Sequence, residues 1–258
     1  MSRHIKVLLT VFLFYAIYFV LDMFLFKGLR INLNMRIAQW GISHILTYLI
    51  TGIPLYIAAF ILHGAKGFWE SWGLNKPVGK AFLAAFLFTL PMLIGLAVSF
   101  SWNSSITADQ VLIGVIAAAV FEELFFRSFL FGQVFRYSRL GFIPSLLTGA
   151  VLFALMHLYQ SQDMGTLAGI FAITFAGAVL FGWLYAEWGY NIWVPVFLHM
   201  LMNLSWLLFE VSDNALGGVN ANIFRFMTVG LAIVGTVVYK RKKGIPFEVN
   251  KRTLWMKA

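Results

Sequence analysis

Along the 258 residues, long apolar runs alternate with short polar connections eight times. The runs cover 7–26, 40–62, 81–100, 111–135, 142–158, 164–186, 192–209 and 223–239. Each approaches the roughly 20 residues that a helix needs to cross a hydrocarbon core of about 30 Å. The pattern therefore predicts an all-α, polytopic membrane protein of about eight transmembrane helices. Those helices make up a single transmembrane domain over 1–258, because no connection is long enough to hold a soluble unit. Arg3 and Lys6 precede the first run as they would in a signal peptide. That run is too long for one and no small-residue cleavage site follows, so it reads as a retained first helix.

Composition supports the pattern. The chain is 61% hydrophobic and 11% charged, with a mean hydropathy of +0.84 and 27 Phe. So little charge cannot coat a soluble globule of this size, whereas a surface facing lipid is meant to be apolar. The formal charge of +9 points to no nucleic acid, because the bases sit in loops and the tail instead of along one amphipathic face. They read as topology signals and, at the basic C-terminal tail, as contacts to anionic lipids. Arg3, Lys6, Lys66, Lys76, Lys80, Arg136, Arg139 and the cluster from Lys240 onward fall on one side. Lys27, Arg30 and Arg36 fall on the other. Both termini are thus expected in the cytoplasm, with His157 towards the outer ends of the helices. The absence of cysteine excludes disulfides, thiolate chemistry and Cys-ligated zinc.

A charge near the bilayer centre costs ~2.5–3.5 kcal/mol on insertion scales, so each one needs a reason. The densest cluster is Glu122-Glu123-x-x-x-Arg127 in the fourth run. On an α-helix Glu123 and Arg127 share a stripe and suit an ion pair, while Glu122 points roughly 100° away and needs another partner. His157 closes the fifth run, and His199 and Asn203 share one face of the seventh. Singly, each is ordinary interhelical hydrogen-bonding material. Together they supply a carboxylate, two imidazoles and an amide, the groups that water-mediated amide hydrolysis uses to deprotonate water and hold an oxyanion. No H-E-x-x-H motif occurs, so no metal or other cofactor is expected. Asp22 is read as lying near a helix end, His44 and His63 as interfacial or hydrogen-bonded, and Glu187 as an ordinary turn residue. Gly165-x-x-x-Gly169 with Ala168, Ala172 and Ala176 is read as a helix-packing stripe.

The order and spacing of Glu122-Glu123-x-x-x-Arg127, Phe153-x-x-x-His157 and His199-x-x-x-Asn203 resemble the three-motif signature of the CAAX-processing and bacteriocin-processing membrane endopeptidases, once labelled Abi. The motif-bearing core spans 109–210. The resemblance implies a glutamate-dependent intramembrane protease of a bacterial plasma membrane acting on a membrane-associated peptide or protein, prenylated or peptide-precursor-like. It implies Glu122 as the base activating water, His157 as its partner, His199 and Asn203 as the oxyanion site, and Glu123 and Arg127 as scaffold. Two other readings remain open: a non-catalytic bacteriocin-immunity or scaffold protein of the same family, and a proton-coupled transporter. No internal repeat of the kind common in transporters is found.

Overall fold

The computed structural model describes residues 2–256, so the last basic residue of the tail, Lys257, lies outside the described residues. The helices are α1 (Arg3–Ile37), α2 (Trp40–Thr51), α3 (Ile53–Ser71), α4 (Val78–Ser99), α5 (Ala108–Gln110), a π-helix (Val111–Phe131) and α6 (Gly132–Tyr137). After them come α7 (Phe142–Leu155), a 3₁₀ turn (Leu158–Gln160), α8 (Met164–Glu187), α9 (Trp193–Leu208) and α10 (Val219–Lys243). Among the described residues there is no strand, only two isolated backbone bridges, Trp102 to Phe209 and Leu140 to Met256.

All eight apolar runs are helical. Five helices are long and apolar enough to cross a membrane, and a sixth span results if the bent pair α2–α3 counts as one. The α9 helix falls short in length. Residues such as Leu13, Phe24, Phe60, Val98 and Val234 stand exposed on the outside, as apolar side chains do where the solvent is lipid.

Element boundaries depart from the hydrophobic pattern in informative ways. The α1 helix runs to Ile37, well past the end of its apolar run, so Asp22 lies inside the helix and not near its end. The second run breaks at Gly52 with a bend of 42° before Pro54 opens α3, where its missing N–H has no partner to lose. The α4 helix continues through Pro91, and the next amide, that of Met92, donates 3.1 Å to the Thr228 hydroxyl of α10. A side chain at Gly95 would meet the Phe224 ring at 2.1 Å, so α4 and α10 approach closely there. Of the expected small-residue stripe of α8 only Gly169 is in close contact, with the Leu216 side chain 2.8 Å from where its Cβ would stand, whereas Gly165, Ala168, Ala172 and Ala176 are exposed. The buried face of α8 is carried by Ile170, Thr174, Ala178, Phe181 and Tyr185.

Two ends of the bundle are fixed by contacts between connections. At one, Gln39 donates to Asp109, Asn103 to the Leu207 carbonyl, and the Ala215 amide to Gln160. At the other, Arg136 donates to the Ser71 carbonyl, Asn191 to the Pro77 carbonyl, and the 141–143 amides to the tail at 253–255. The tail is thereby folded against the protein. Glu187 anchors it: buried at 3% exposure, it pairs with buried Lys240 and accepts the amides of Glu248 and Val249. Glu187 is therefore a structural carboxylate and not an idle turn residue. Beside it Tyr190 donates 3.0 Å to Glu248; burial, then that carboxylate, raises the phenol above its usual range.

Removing Lys240 leaves Glu187 buried with only amide donors, and breaking a buried pair costs about 3–5 kcal/mol. Lys240→Met should therefore melt below the parent in detergent and expose the 245–256 tail to protease. Unchanged melting and an uncut tail would show that the clamp contributes no stability.

Candidate active site

Glu122, Glu123 and Arg127 lie on the π-helix, not on the α-helix their spacing suggested. The wider coil is visible where it ends, with the Gly132 amide reaching the Arg127 carbonyl five residues back. Such turns usually occur singly and often at functional sites. Four-residue neighbours still meet: Arg127 Nε lies 3.2 Å from Glu123 Oε2. The two groups are close enough for an ion pair but off the line a hydrogen bond needs. The guanidinium is held otherwise by aromatic faces, lying 4.1 Å from the Phe153 ring centroid and 5.5 Å from that of Phe181.

Glu123 is fully buried and does more than pair with Arg127. Its Oε1 is 2.9 Å from His199 Nδ1, joining the fourth and seventh runs through one carboxylate. A carboxylate oxygen accepts, so Nδ1 donates, and Nε2 is the nitrogen left for other work. The ring is further fixed by stacking on Phe181, with centroids 5.3 Å apart and planes at 20°.

His157 is oriented by a different device. The α7 helix stops at Leu155, so His157 lies just past its end and not within it. The last carbonyls of a helix have no amide to accept from, and His157 supplies one donor: Nδ1 reaches the Phe153 carbonyl at 2.7 Å. A carbonyl only accepts, so this contact also fixes the tautomer, with the lone pair of the neutral ring on Nε2. The ring sits 4.4 Å from that of Phe153.

Four of the expected residues line one cavity of ≈1200 Å³: Glu122, His157, His199 and Asn203. They come from the π-helix, the turn after α7, and α9. Glu123 and Arg127 stay behind the wall. Glu122 makes no hydrogen bond to any described residue, whereas Asn203 Nδ2 donates 2.9 Å to the Gly114 carbonyl and keeps one N–H over. The volume exceeds the ~300–1,000 Å³ typical of small-molecule sites, which leaves room for a peptide segment. The connections at 103–105 and 209–215 form its rim, so it opens at the end of the bundle opposite the basic tail. At the start of α8 the Thr166 amide and hydroxyl hold the Asp163 carboxyl below its usual range. Among the described residues, no three of His, Asp and Glu gather closely enough to hold a metal ion.

Several lining residues were not singled out from the sequence. Phe181, Trp206, Asp213 and Arg225 are among them. Arg225 left a readable signal, a charge inside the apolar run 223–239. The others left none.

Residues 105–205 match the family model described as Type II CAAX prenyl endopeptidase Rce1-like. The matched stretch holds all three motifs, which bears out the family resemblance drawn from them. No curated protein matches the chain.

The geometry separates frame from cavity wall and so predicts different losses. Arg127→Ala leaves the buried Glu123 with His199 as its one partner and should lower stability by up to about 3–5 kcal/mol, the cost of breaking a buried pair. Glu122→Gln breaks no hydrogen bond and should stay within about 0.5 kcal/mol of the parent. Chemical denaturation in detergent compares the two, and equal stabilities would remove Arg127 from the frame.

Proposed function

We propose that the chain is an intramembrane glutamic endopeptidase that hydrolyses a peptide bond in a membrane-associated peptide or protein. The observation that carries this reading is the convergence of Glu122, His157, His199 and Asn203 on one cavity, with both imidazoles anchored through Nδ1. Each histidine then presents Nε2. A scaffold needs its inward-facing polar groups to bond one another; Glu122, half-buried in the cavity wall, makes no hydrogen bond to any described residue.

In the proposed reaction Glu122 and His157 Nε2 hold a water against the scissile carbonyl. As the water oxygen attacks, its proton passes to the Glu122 carboxylate, and the carbonyl π pair moves onto oxygen. The oxyanion accepts from the spare N–H of Asn203 and from His199 Nε2. For His199 to donate there while Nδ1 donates to Glu123, the ring must carry both protons, so the imidazolium stands between the carboxylate and the developing negative charge. Collapse of the intermediate breaks the C–N bond, and the proton on Glu122 goes to the leaving amine. No step calls for a metal.

The asymmetry of Lys and Arg between the two ends supports an orientation. The end that carries Arg136, Arg139, Lys240 and the exposed Arg241, Lys242 and Lys243 takes the cytoplasmic side, with both termini. The cavity mouth then faces outward. In a bacterial plasma membrane this favours substrates reaching the enzyme from the lipid or the outer face.

Two experiments test these statements. Glu122→Gln should lower turnover of a membrane peptide by at least the ~10²–10⁴-fold typical of a general base while leaving the protein folded. Near-full turnover would sink the mechanism. Because the chain has no cysteine, single introduced thiols report topology cleanly. On intact cells an impermeant maleimide should label Ser104→Cys at once and Lys242→Cys only after permeabilisation; the reverse order would invert the proposed orientation.

A further inference from the structure

Arg225 is the one charged residue of α10 that lines the cavity, and it is only 9% exposed. The other two buried lysine or arginine side chains among the described residues each have an acid: Arg127 has Glu123, and Lys240 has Glu187. Arg225 has none within 4.0 Å among the described residues. Its protein contacts are confined to one nitrogen and one ring face. The Nη1 donates 3.3 Å to the Leu216 carbonyl and 2.9 Å to Asn222 Oδ1, and the Trp206 ring lies 4.3 Å from the guanidinium carbon. Nε and Nη2 make no hydrogen bond to any described residue. These two nitrogens form the side-on edge of the guanidinium that receives a carboxylate through paired hydrogen bonds. Glu210 and Asp213 also line the cavity, but both are exposed at its rim and neither pairs with Arg225.

A buried cation whose free fork has no acid beside it, in the wall of a cavity large enough for peptide, calls for an anionic group on the occupant. We infer that Arg225 is a specificity-determining residue that binds the C-terminal carboxylate of the peptide substrate through Nε and Nη2. Nη1 is held by α10 and the 210–218 connection, and Trp206 fixes the plane, so the fork is set before the ligand arrives. A cation at this point also orients the peptide, since its C-terminal end must lie towards α10 while the scissile bond lies at Glu122. This assignment rests on the peptidase reading above for the identity of the occupant, though not for its charge.

The test uses the full-length Glu122→Gln protein in zwitterionic micelles, so that binding is read without cleavage. The probe is a short apolar peptide with a fluorophore at its N-terminus, prepared as the free acid and as the C-terminal amide. Fluorescence polarisation should show the acid bound about 10- to 100-fold more tightly, the range that hydrogen bonds to a charged group give. Adding Arg225→Gln should erase the preference. Arg225→Lys, which keeps the charge but not the fork, should leave a reduced one, and it replaces the Gln variant as the deciding measurement if that variant fails to fold. Equal binding of acid and amide, or a preference that survives both substitutions, overturns the inference. So does an Arg225-dependent preference for phosphatidylglycerol over phosphatidylcholine without discrimination between the two peptides, which would assign the fork to lipid phosphate. Wild-type turnover keeps the two readings apart. Cleavage of acid and amide at equal rates leaves the peptidase standing and removes this role for Arg225. Binding that discriminates, with neither peptide cleaved, keeps the carboxylate site and removes the peptidase.

Discussion

A single buried carboxylate holds this bundle together where it matters. Glu123 is fully inaccessible, and in a low-dielectric interior an unpaired carboxylate would cost several kcal/mol. Its two oxygens divide the burden: one meets Arg127, four residues on along the same helix, and the other meets His199 of α9. The guanidinium is in turn pressed against Phe153 and Phe181, the two rings that contact His157 and His199. Both histidines therefore rest on the same ion pair, one by a direct hydrogen bond and both through an aromatic wall. Displacing the pair would move each imidazole relative to the cavity. Glu122, one residue away, is free of this frame and can face the cavity because its neighbour carries the structural load.

The far end of the bundle solves the same problem with different residues. Lys240 opens the basic cluster of the tail, yet it is withdrawn from solvent and neutralised by Glu187. Its neighbours Arg241, Lys242 and Lys243 stay exposed, where they can reach anionic headgroups. The clamp thus folds the tail across the tail end of the bundle, against Gly141 and Phe142, leaving the opposite end to the cavity rim.

The broad outline of this arrangement was legible in the sequence because lipid makes hydropathy nearly sufficient for finding helices. The eight runs are eight helical regions, and the polar residues that no lipid-facing helix can carry mark where the cavity lies. What hydropathy could not supply was local geometry. It gave no sign of the π-helix, since it assumes a fixed turn, nor of the early stop of α7 that leaves His157 beyond the helix; the break at Gly52 was marked instead by Pro54, which is expected to kink its helix. Pairing across the chain was equally hidden: the Glu123–Arg127 contact follows from spacing, but Glu123 to His199 and Glu187 to Lys240 join residues that only the fold brings together. Arg225 is the instructive omission. Its charge stood in plain view within an apolar run, but a single base near a predicted helix end passes for a topology signal.

Buried charges in this chain sort by partner and by surroundings, and both criteria are needed. Glu123, Arg127, Glu187 and Lys240 are paired and lie away from the cavity, as charges that hold a fold together should. Glu122 and Arg225 have no ion pair and face the cavity. Asp22 shows why lack of a partner is not enough: its Oδ1 is buried in α1 without a hydrogen bond, yet it does not line the cavity. A lone polar group against a closed wall has nothing to act upon. Apart from the exposed acids of the rim, Glu210 and Asp213, one unpaired acid and one unpaired base in the walls of the cavity define a polarity along it, from Glu122 to Arg225. A ligand that carried a polarisable carbonyl at one point and an anionic end at another would answer both, and a peptide chain has those two groups in a fixed direction.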